Sequence, residues 1–242
     1  MIQDQTPALD EKTQQEVESL IRQEEGDSHQ YKGFLAVFLT LAAVAMSLFH
    51  LYAAYSIVPT LQLRVVHVGF VLAILFLSFP IAAKFKNRLM LWDIVLAGLA
   101  VATAFYILQG GDDLADRNTA PLQLDIIFGV IFIILILEGV RRTNGLILLT
   151  VTLLFLSYAL FGNYLPAPWT HKGYEVSRLV GYMYMTLEGV FGTAVDVSAT
   201  LIILFTIFGA FLTQSGAGQF FIDFAVAAMG RRRNGAGRSV VL

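Results

Sequence analysis

This sequence predicts an all-α, polytopic membrane protein with about six spanning helices, judged against the roughly 20 apolar residues that a crossing needs. Three observations carry the prediction. Hydrophobic residues fill 57% of the 242 positions and charged residues 14%, against roughly 45–50% and 25% in soluble domains. The apolar residues arrive in long blocks, not in narrow amphipathic stripes, and mean hydropathy is +0.69. The basic residues gather in alternate connections between the blocks. With no cysteine in the chain, a disulfide framework, a thiolate metal site and a thiol nucleophile are all excluded.

Residues 1–32 form a polar tail. Eight acids (Asp4, Asp10, Glu11, Glu16, Glu18, Glu24, Glu25 and Asp27) stand there against Lys12, Arg22 and Lys32. Thr6-Pro7 has the form of a helix start, and Leu9, Val17, Leu20 and Ile21 give a thin apolar stripe behind it. The tail lacks the basic start and apolar centre of a signal peptide. It reads as a solvated helix or as one that docks on the membrane face or on a partner.

Apolar blocks of spanning length follow at Gly33–Tyr55, Val65–Ala83, Leu89–Leu108, Leu122–Val140, Leu146–Phe161 and Val190–Leu212. The fifth is short but runs to Tyr164 without meeting a charge. Asp93, Asp125 and Glu138 lie near block ends, within reach of an interface. Gly110–Pro121 reads as a polar turn. Asn163–Leu187 is longer, and Val176, Leu179, Val180, Met183 and Leu187 recur in it at helical spacing. Tyr174, Tyr182 and Tyr184 are amphipathic rings suited to the headgroup level. A short helix in the outer interface is expected there, at the boundary between two modules. After the sixth block, Gln214–Gly218 reads as a Gly/Ser break, Phe220–Met229 as a helix along the inner interface, and Gly230–Gly237 as a loop.

Twelve of the sixteen Lys and Arg residues fall on one side of this arrangement: Lys12, Arg22, Lys32, Lys84, Lys86, Arg88, Arg141, Arg142, Arg231, Arg232, Arg233 and Arg238. Arg64, Arg117, Lys172 and Arg178 fall on the other. The positive-inside rule makes the first side cytoplasmic, with the N-terminus. Six crossings return the chain to the side on which it began, so charge and helix count agree.

Few residues invite chemistry. His50 and His67 stand at similar depth on neighbouring spans, a pattern that two axial ligands of one haem would share. Each also lies within about two turns of the interface, where an imidazole is simply hydrated. Asp196, one turn into the sixth span, is a candidate to line a polar pathway, to pair with a basic residue expected beyond Leu242, or to favour the helix start near Thr193. Glu138 has the spacing for a local ion pair with Arg141 or Arg142. No phosphate-loop pattern is present, and no nucleophile–base grouping sits in a soluble domain. The chain is not expected to be an enzyme, to hold a metal or cofactor, or to bind nucleic acid.

The stretch LEGVFGTAVDVSATLIILFTIFGAFLTQSGAGQFFIDFAVAAMGRRRNGAGRS (Leu187–Ser239) resembles the opening of the large membrane subunit of TRAP transporters, the tripartite ATP-independent periplasmic transporters. The five blocks before it, with the loop NYLPAPWTHKGYEVSRLVGYMYMTLEGVFGT, resemble the fused type, in which small Q-type and large M-type subunits share one chain. Within that type the sequence is similar to the branch served by TAXI-class binding proteins.

The resemblance implies a secondary active permease in a bacterial inner membrane. It would import organic acids or similar small solutes delivered by a periplasmic binding protein, and be driven by an ion gradient, with Na+ as the transported coupling ion. It also implies the division 1–32 tail, 33–164 small-subunit-like scaffold, 165–189 outer loop and helix, and 190–242 start of the transport domain. Substrate and ion sites are then expected beyond Leu242, in the remaining large-subunit domain. Lys172, Glu175, Arg178 and Glu188 are the candidates for docking the binding protein. The other readings left open by the residues are a haem- or quinone-binding anchor resting on His50 and His67, and a non-transporting scaffold.

Overall fold

The computed structural model describes residues 33–81 and 90–229. The acidic tail, the Lys84–Arg88 linker and the arginine-rich stretch after Met229 lie outside the described residues. Every regular element among those described is helical. In chain order they are α1 (Phe34–Tyr55), α2 (Thr60–Ser78), α3 (Leu91–Asp116), α4 (Gln123–Phe161), α5 (Val176–Met185), α6 (Thr193–Gln214) and α7 (Ala217–Met229). Five of them, all but α5 and α7, are long and apolar enough to cross a membrane. The polytopic helical fold is as the composition predicts.

α4 is not one rod. A straight helix of 39 residues would run about 58 Å at 1.5 Å per residue. Yet the amide of Tyr174 donates to the Ala159 carbonyl at 3.0 Å, and residues 171–178 share a concavity with Thr119, which precedes α4. The far end of α4 therefore returns to the level of its start. The reversal is at Gly145, whose φ of 74° and ψ of −161° interrupt the helical run. That backbone region is open to glycine and closed to residues with a Cβ. Two antiparallel limbs, 123–144 and 146–161, result, and they match the fourth and fifth apolar blocks. Gly111 (φ 50°) breaks α3 in a similar way. The expected turn after Leu108 is instead a continued helix followed by a short helical segment, because Leu114 folds back to full burial.

The core lies between α2, α3, the first limb of α4, and α5. α2 contributes Val65, Val68, Leu72 and Phe76, and α3 contributes Ala97, Ala100, Ala104 and Ile107. Both sets follow helical spacing. In lipid, apolar contact alone gives helices little reason to associate, so close packing of small residues and polar bonds carry the assembly. At Gly69 an added Cβ would stand 3.0 Å from the Ala104 Cβ, which marks the tightest approach of α2 to α3. α5 departs from the expected surface helix. Its buried residues are Val180, Gly181, Tyr184 and Met185, and the Tyr184 hydroxyl donates to the Thr103 carbonyl at 2.6 Å. A Cβ at Gly129 would collide with Val180, and one at Gly181 with the Asn118 carbonyl. The two glycines let α5 sink between α3 and α4, with Tyr184 inside and only Tyr174 and Tyr182 left exposed. Burial pushes the Tyr184 phenol well above its ordinary pKa.

A buried ion pair fastens one end of the bundle. Arg142, fully buried, sits 2.7 Å from Asp93 and 2.8 Å from Glu138, and donates to the Phe79 carbonyl at 2.7 Å. Its guanidinium also lies over the Phe76 ring, 5.2 Å from the centroid. Arg141 takes the other side of Glu138 at 2.7 Å and reaches the Ile81 carbonyl at 2.9 Å. The expected local pairs at i, i+3 and i, i+4 are present, and Arg142 in addition ties the end of α2 to the start of α3. At the opposite end Arg117 grips Asp125 with two bonds of 2.8 and 2.9 Å, and Tyr106 donates to the same carboxylate at 2.6 Å. The bond to Asp125 holds the Arg117 guanidinium above its ordinary pKa.

Two substitutions test this frame. Arg142→Ala strands Asp93 without its counter-ion, and a broken buried pair costs about 3–5 kcal/mol. Gly145→Ala forces a Cβ into the reversal and costs about 1–3 kcal/mol. SDS titration of the purified protein in mixed micelles, followed by circular dichroism, should place both midpoints below wild type, with Arg142→Ala the lower.

Candidate functional site

The candidate residues gather at the end of the bundle that carries Arg117. α1 and α2 meet there, and α6 begins there. α6 is joined to the earlier helices by two polar contacts from α2. Arg64 places its Nε 3.0 Å and its second terminal nitrogen 2.9 Å from one oxygen of Asp196. Its remaining nitrogen donates to the Phe191 carbonyl at 2.7 Å, just before the helix. Asp196 is thus engaged by an arginine already in the chain. It sits in the first turn of α6, where its carboxylate makes no capping bond to the backbone. Its side chain remains 38% exposed, so one face is still open.

The second contact is a chain of imidazoles. His50 Nδ1 lies 2.7 Å from the Met46 carbonyl, four residues back on α1. A carbonyl only accepts, so this nitrogen carries the proton and His50 Nε2 is a bare acceptor. His67 Nδ1, 2.9 Å away, donates to it. His67 Nε2 then accepts from the Ser198 hydroxyl at 3.0 Å. This tautomer assignment is the one that satisfies every contact with both rings neutral. The rings meet edge to face with centroids 5.0 Å apart. His50 and His67 are 1% and 5% exposed. The expectation of hydrated, interfacial histidines is therefore corrected: α6 covers them and satisfies the last nitrogen. Axial ligation of one haem does not fit either. All four ring nitrogens have partners, and the facing nitrogens leave no space for a macrocycle. Sequence reasoning paired the histidines by depth but missed Ser198, one of several hydroxyls in Thr193–Thr200 that nothing in the sequence sets apart.

α6 changes its winding at this contact. Residues Ser198–Ile202 form a π-helical segment, a geometry often found where a helix serves a site. Ala199 within it is the only fully buried residue of α6 among the described residues. Beyond it, Phe205, Phe208 and Phe211 are 57–68% exposed. α6 is held by polar bonds at its first turns, and its later turns pack one side against α1 and leave these phenylalanines outside.

Three of the four docking candidates come together on the same end. Lys172, Glu175 and Arg178 border a polar concavity of about 650 Å³ with Thr119, His171 and Ser177. His171 shapes its rim. Its Nε2 donates to the Tyr158 carbonyl at 2.9 Å and its Nδ1 accepts the Gly173 amide at 3.0 Å. Gly173 has a φ of 71°, a bend that presents Lys172 and Tyr174 to either side. Glu188 is not part of the concavity; it follows α5 in the turn that leads to Phe191.

The joint between α2 and α6 can be tested directly, because the natural chain has no cysteine. The double variant His67→Cys with Ser198→Cys should be bridged by a short bifunctional thiol reagent and show altered gel mobility. Leu61→Cys with Phe208→Cys should not. The wild-type protein should purify without a Soret absorption.

Comparison with protein families adds one finding. Residues 130–242, just under half of the chain, match the family described as tripartite ATP-independent periplasmic transporter, DctM component. The match begins at Val130 inside α4 and takes in α5, α6 and α7. Searches of curated proteins and of solved structures gave no significant match. Over α4 to α7, the polytopic helical chain is similar to the large permease component of a TRAP transporter.

Proposed function

We propose that the chain belongs to the permease of a TRAP-type secondary active transporter of the fused kind, taking small solutes such as organic acids from a periplasmic binding protein of the TAXI class. The observation that carries this reading is the family match over residues 130–242, which falls on membrane-spanning helices. On this reading the Arg142 end faces the cytoplasm, as the sorting of basic residues favours, and the Arg117 end faces the binding protein. The α1–α5 bundle, in which ion pairs join α2, α3 and α4 at one end and α3 and α4 at the other, is the fixed frame. Asp196, with one face open beside Arg64, is the acid placed to line a polar route along α6. The coupling ion is sodium, and the protein uses no cofactor.

The docking surface is the concavity around Lys172, Glu175 and Arg178. Two cations and one carboxylate on a rim favour a partner patch of opposite, mixed charge, and such rim charges act mainly on encounter rate. Glu188 extends the surface past α5.

Uptake by proteoliposomes holding the complete reading frame tests the function. Uptake should require the matched binding protein and an inward sodium gradient. With both supplied together with the correct solute, absence of uptake leaves the scaffold reading in its place. The double charge reversal Lys172→Glu with Arg178→Glu should raise the binding-protein concentration for half-maximal uptake about tenfold, equal to roughly 1.4 kcal/mol, at unchanged expression. That shift should shrink as ionic strength rises.

A further inference from the structure

The joint between α1, α2 and α6 is a chain of hydrogen bonds with one direction. The Ser198 hydroxyl donates to His67 Nε2, His67 Nδ1 donates to His50 Nε2, and His50 Nδ1 donates to the Met46 carbonyl. Both bare ring nitrogens already accept a bond. The carbonyl at one end can only accept, whereas the hydroxyl at the other can donate or accept. Ser198 also departs from the other hydroxyls of these helices. Thr200, Thr206 and Thr213 of α6 bond back to carbonyls four residues earlier at 2.7–2.9 Å, as do Thr40 and Ser47 of α1. Ser198 meets His67 instead, at the point where α6 takes up its π winding and the Ile203 amide reaches back five residues to the Ser198 carbonyl.

We propose that the His50–His67 pair is a binding site for one proton, which enters at His67 Nε2 as Ser198 reverses its bond. An acid in the water at the Arg117 end, hydronium or buffer, gives up the proton, and the Nε2 lone pair takes it. Ser198 Oγ changes from donor to acceptor. Its own proton turns to the Ala194 carbonyl, four residues back, which together with the Val195 carbonyl already receives the Ser198 amide. A carbonyl oxygen has two lone pairs, and Thr200 bonds the Asp196 carbonyl in this same way. The imidazolium keeps both partners, His50 Nε2 and Ser198 Oγ. Both bonds become charge-assisted, roughly twice as strong as neutral ones, which offsets the desolvation of the charge. The pair then holds three protons on four ring nitrogens, with the central one shared. A fourth would set N–H against N–H across the 2.9 Å between the rings and part α1 from α2, so the capacity is one. Around the pair, α1 brings His50 itself, with Tyr52 and Tyr55 exposed beyond it. α2 brings Arg64 one turn before His67, and α6 brings Asp196, which is paired with Arg64 and partly open to water. α3 and α4 bring Tyr106, Arg117 and Asp125, which bond to one another, and α5 brings Tyr184, bonded to the Thr103 carbonyl. His50 is the titratable group that acts on His67 by charge. Proton binding therefore fastens α6 more firmly to α2.

Nitrogen-15 NMR of the full chain, labelled in histidine and held in lipid nanodiscs, tests the inference. The titration runs from about pH 8 to about pH 4.5, across the ordinary imidazole value. The signals of His29 and His171 are identified with His29→Gln and His171→Gln. At the upper pH both rings of the pair should carry their proton on Nδ1, with Nε2 bare. On acidification the pair should take up one proton in a single step, at His67 Nε2, with the His50 Nδ1 proton unchanged. Ser198→Ala removes the acceptor that the imidazolium needs. It should lower the midpoint by about one pH unit, a tenfold loss of proton affinity, and Ser198→Thr should restore it. Ser198→Cys, whose thiol is a weak acceptor, stands in if the alanine variant misfolds. Thr200→Val should keep the wild-type midpoint. Uptake of two protons by the pair, or of none over this range, overturns the inference. So does a neutral ring protonated at Nε2, or a midpoint left at the wild-type value by the loss of the hydroxyl.

Discussion

The Arg142 guanidinium is the point on which the arrangement of α2, α3 and the first limb of α4 depends. Lipid removes the usual drive for apolar surfaces to meet, so helices that stay together must be pinned by polar bonds or locked by close packing. Arg142 does the first for three elements at once, through the Phe79 carbonyl, Asp93 and Glu138. Such a pair is not a strong source of net stability, because desolvating both charges offsets most of their attraction. Its value is in specificity: any other pairing of these helices leaves a charge in hydrocarbon. One of its terminal nitrogens has no partner among the described residues, which shows that position, not full satisfaction, decides where it sits. Gly69 against Ala104, and Gly129 against Val180, supply the close packing between the pins.

The opposite end follows the same logic with weaker groups. Arg64–Asp196 and the His50–His67–Ser198 chain make polar bonds to the first turns of α6. Neutral imidazoles suit this place better than a second buried charge pair would, because a neutral bond carries a smaller desolvation cost. The consequence is a helix fastened by polar bonds at one membrane face and held beyond them by apolar contact with α1. The exposed phenylalanines of α6 and α7 lie outside these contacts.

Much of this fold was legible in the sequence, because spanning helices announce themselves by length and hydropathy. The six blocks correspond to the helical limbs found, including the pair separated at Gly145. Local ion pairs such as Glu138–Arg141 were legible too, since their spacing is written along one helix. What could not be read were contacts between helices. Arg142 with Asp93 joins residues far apart in the chain, as does Arg64 with Asp196, and a single sequence does not reveal which helices are neighbours. The burial of Tyr184 was misjudged for a related reason. Its aromatic ring with a polar tip is equally suited to a headgroup layer and to a core that offers a carbonyl, and the Thr103 carbonyl was invisible. The docking candidates are a different case: Lys172, Glu175 and Arg178 meet because they stand within seven residues of one another, and what the sequence did not show is Thr119 on the same rim, while Glu188 lies apart.

The reversal at Gly145 leaves a limb whose length matters to the bilayer itself. Residues 146–161 make about 24 Å of helix, and most of their side chains face outward, Ile147 at 84% and Phe155 at 71% exposure. The hydrocarbon core is about 30 Å thick. With the short turn Gly162–Tyr164 added at about 2 Å per residue, this limb just matches that thickness when upright, and tilting makes it shorter. A tilted limb therefore thins the membrane beside it, at a cost of fractions of a kcal/mol per ångström of mismatch. The first limb, at about 33 Å, imposes no such demand. The protein thus presents two different thicknesses to the lipid around it, and its surroundings are graded in depth from one side to the other.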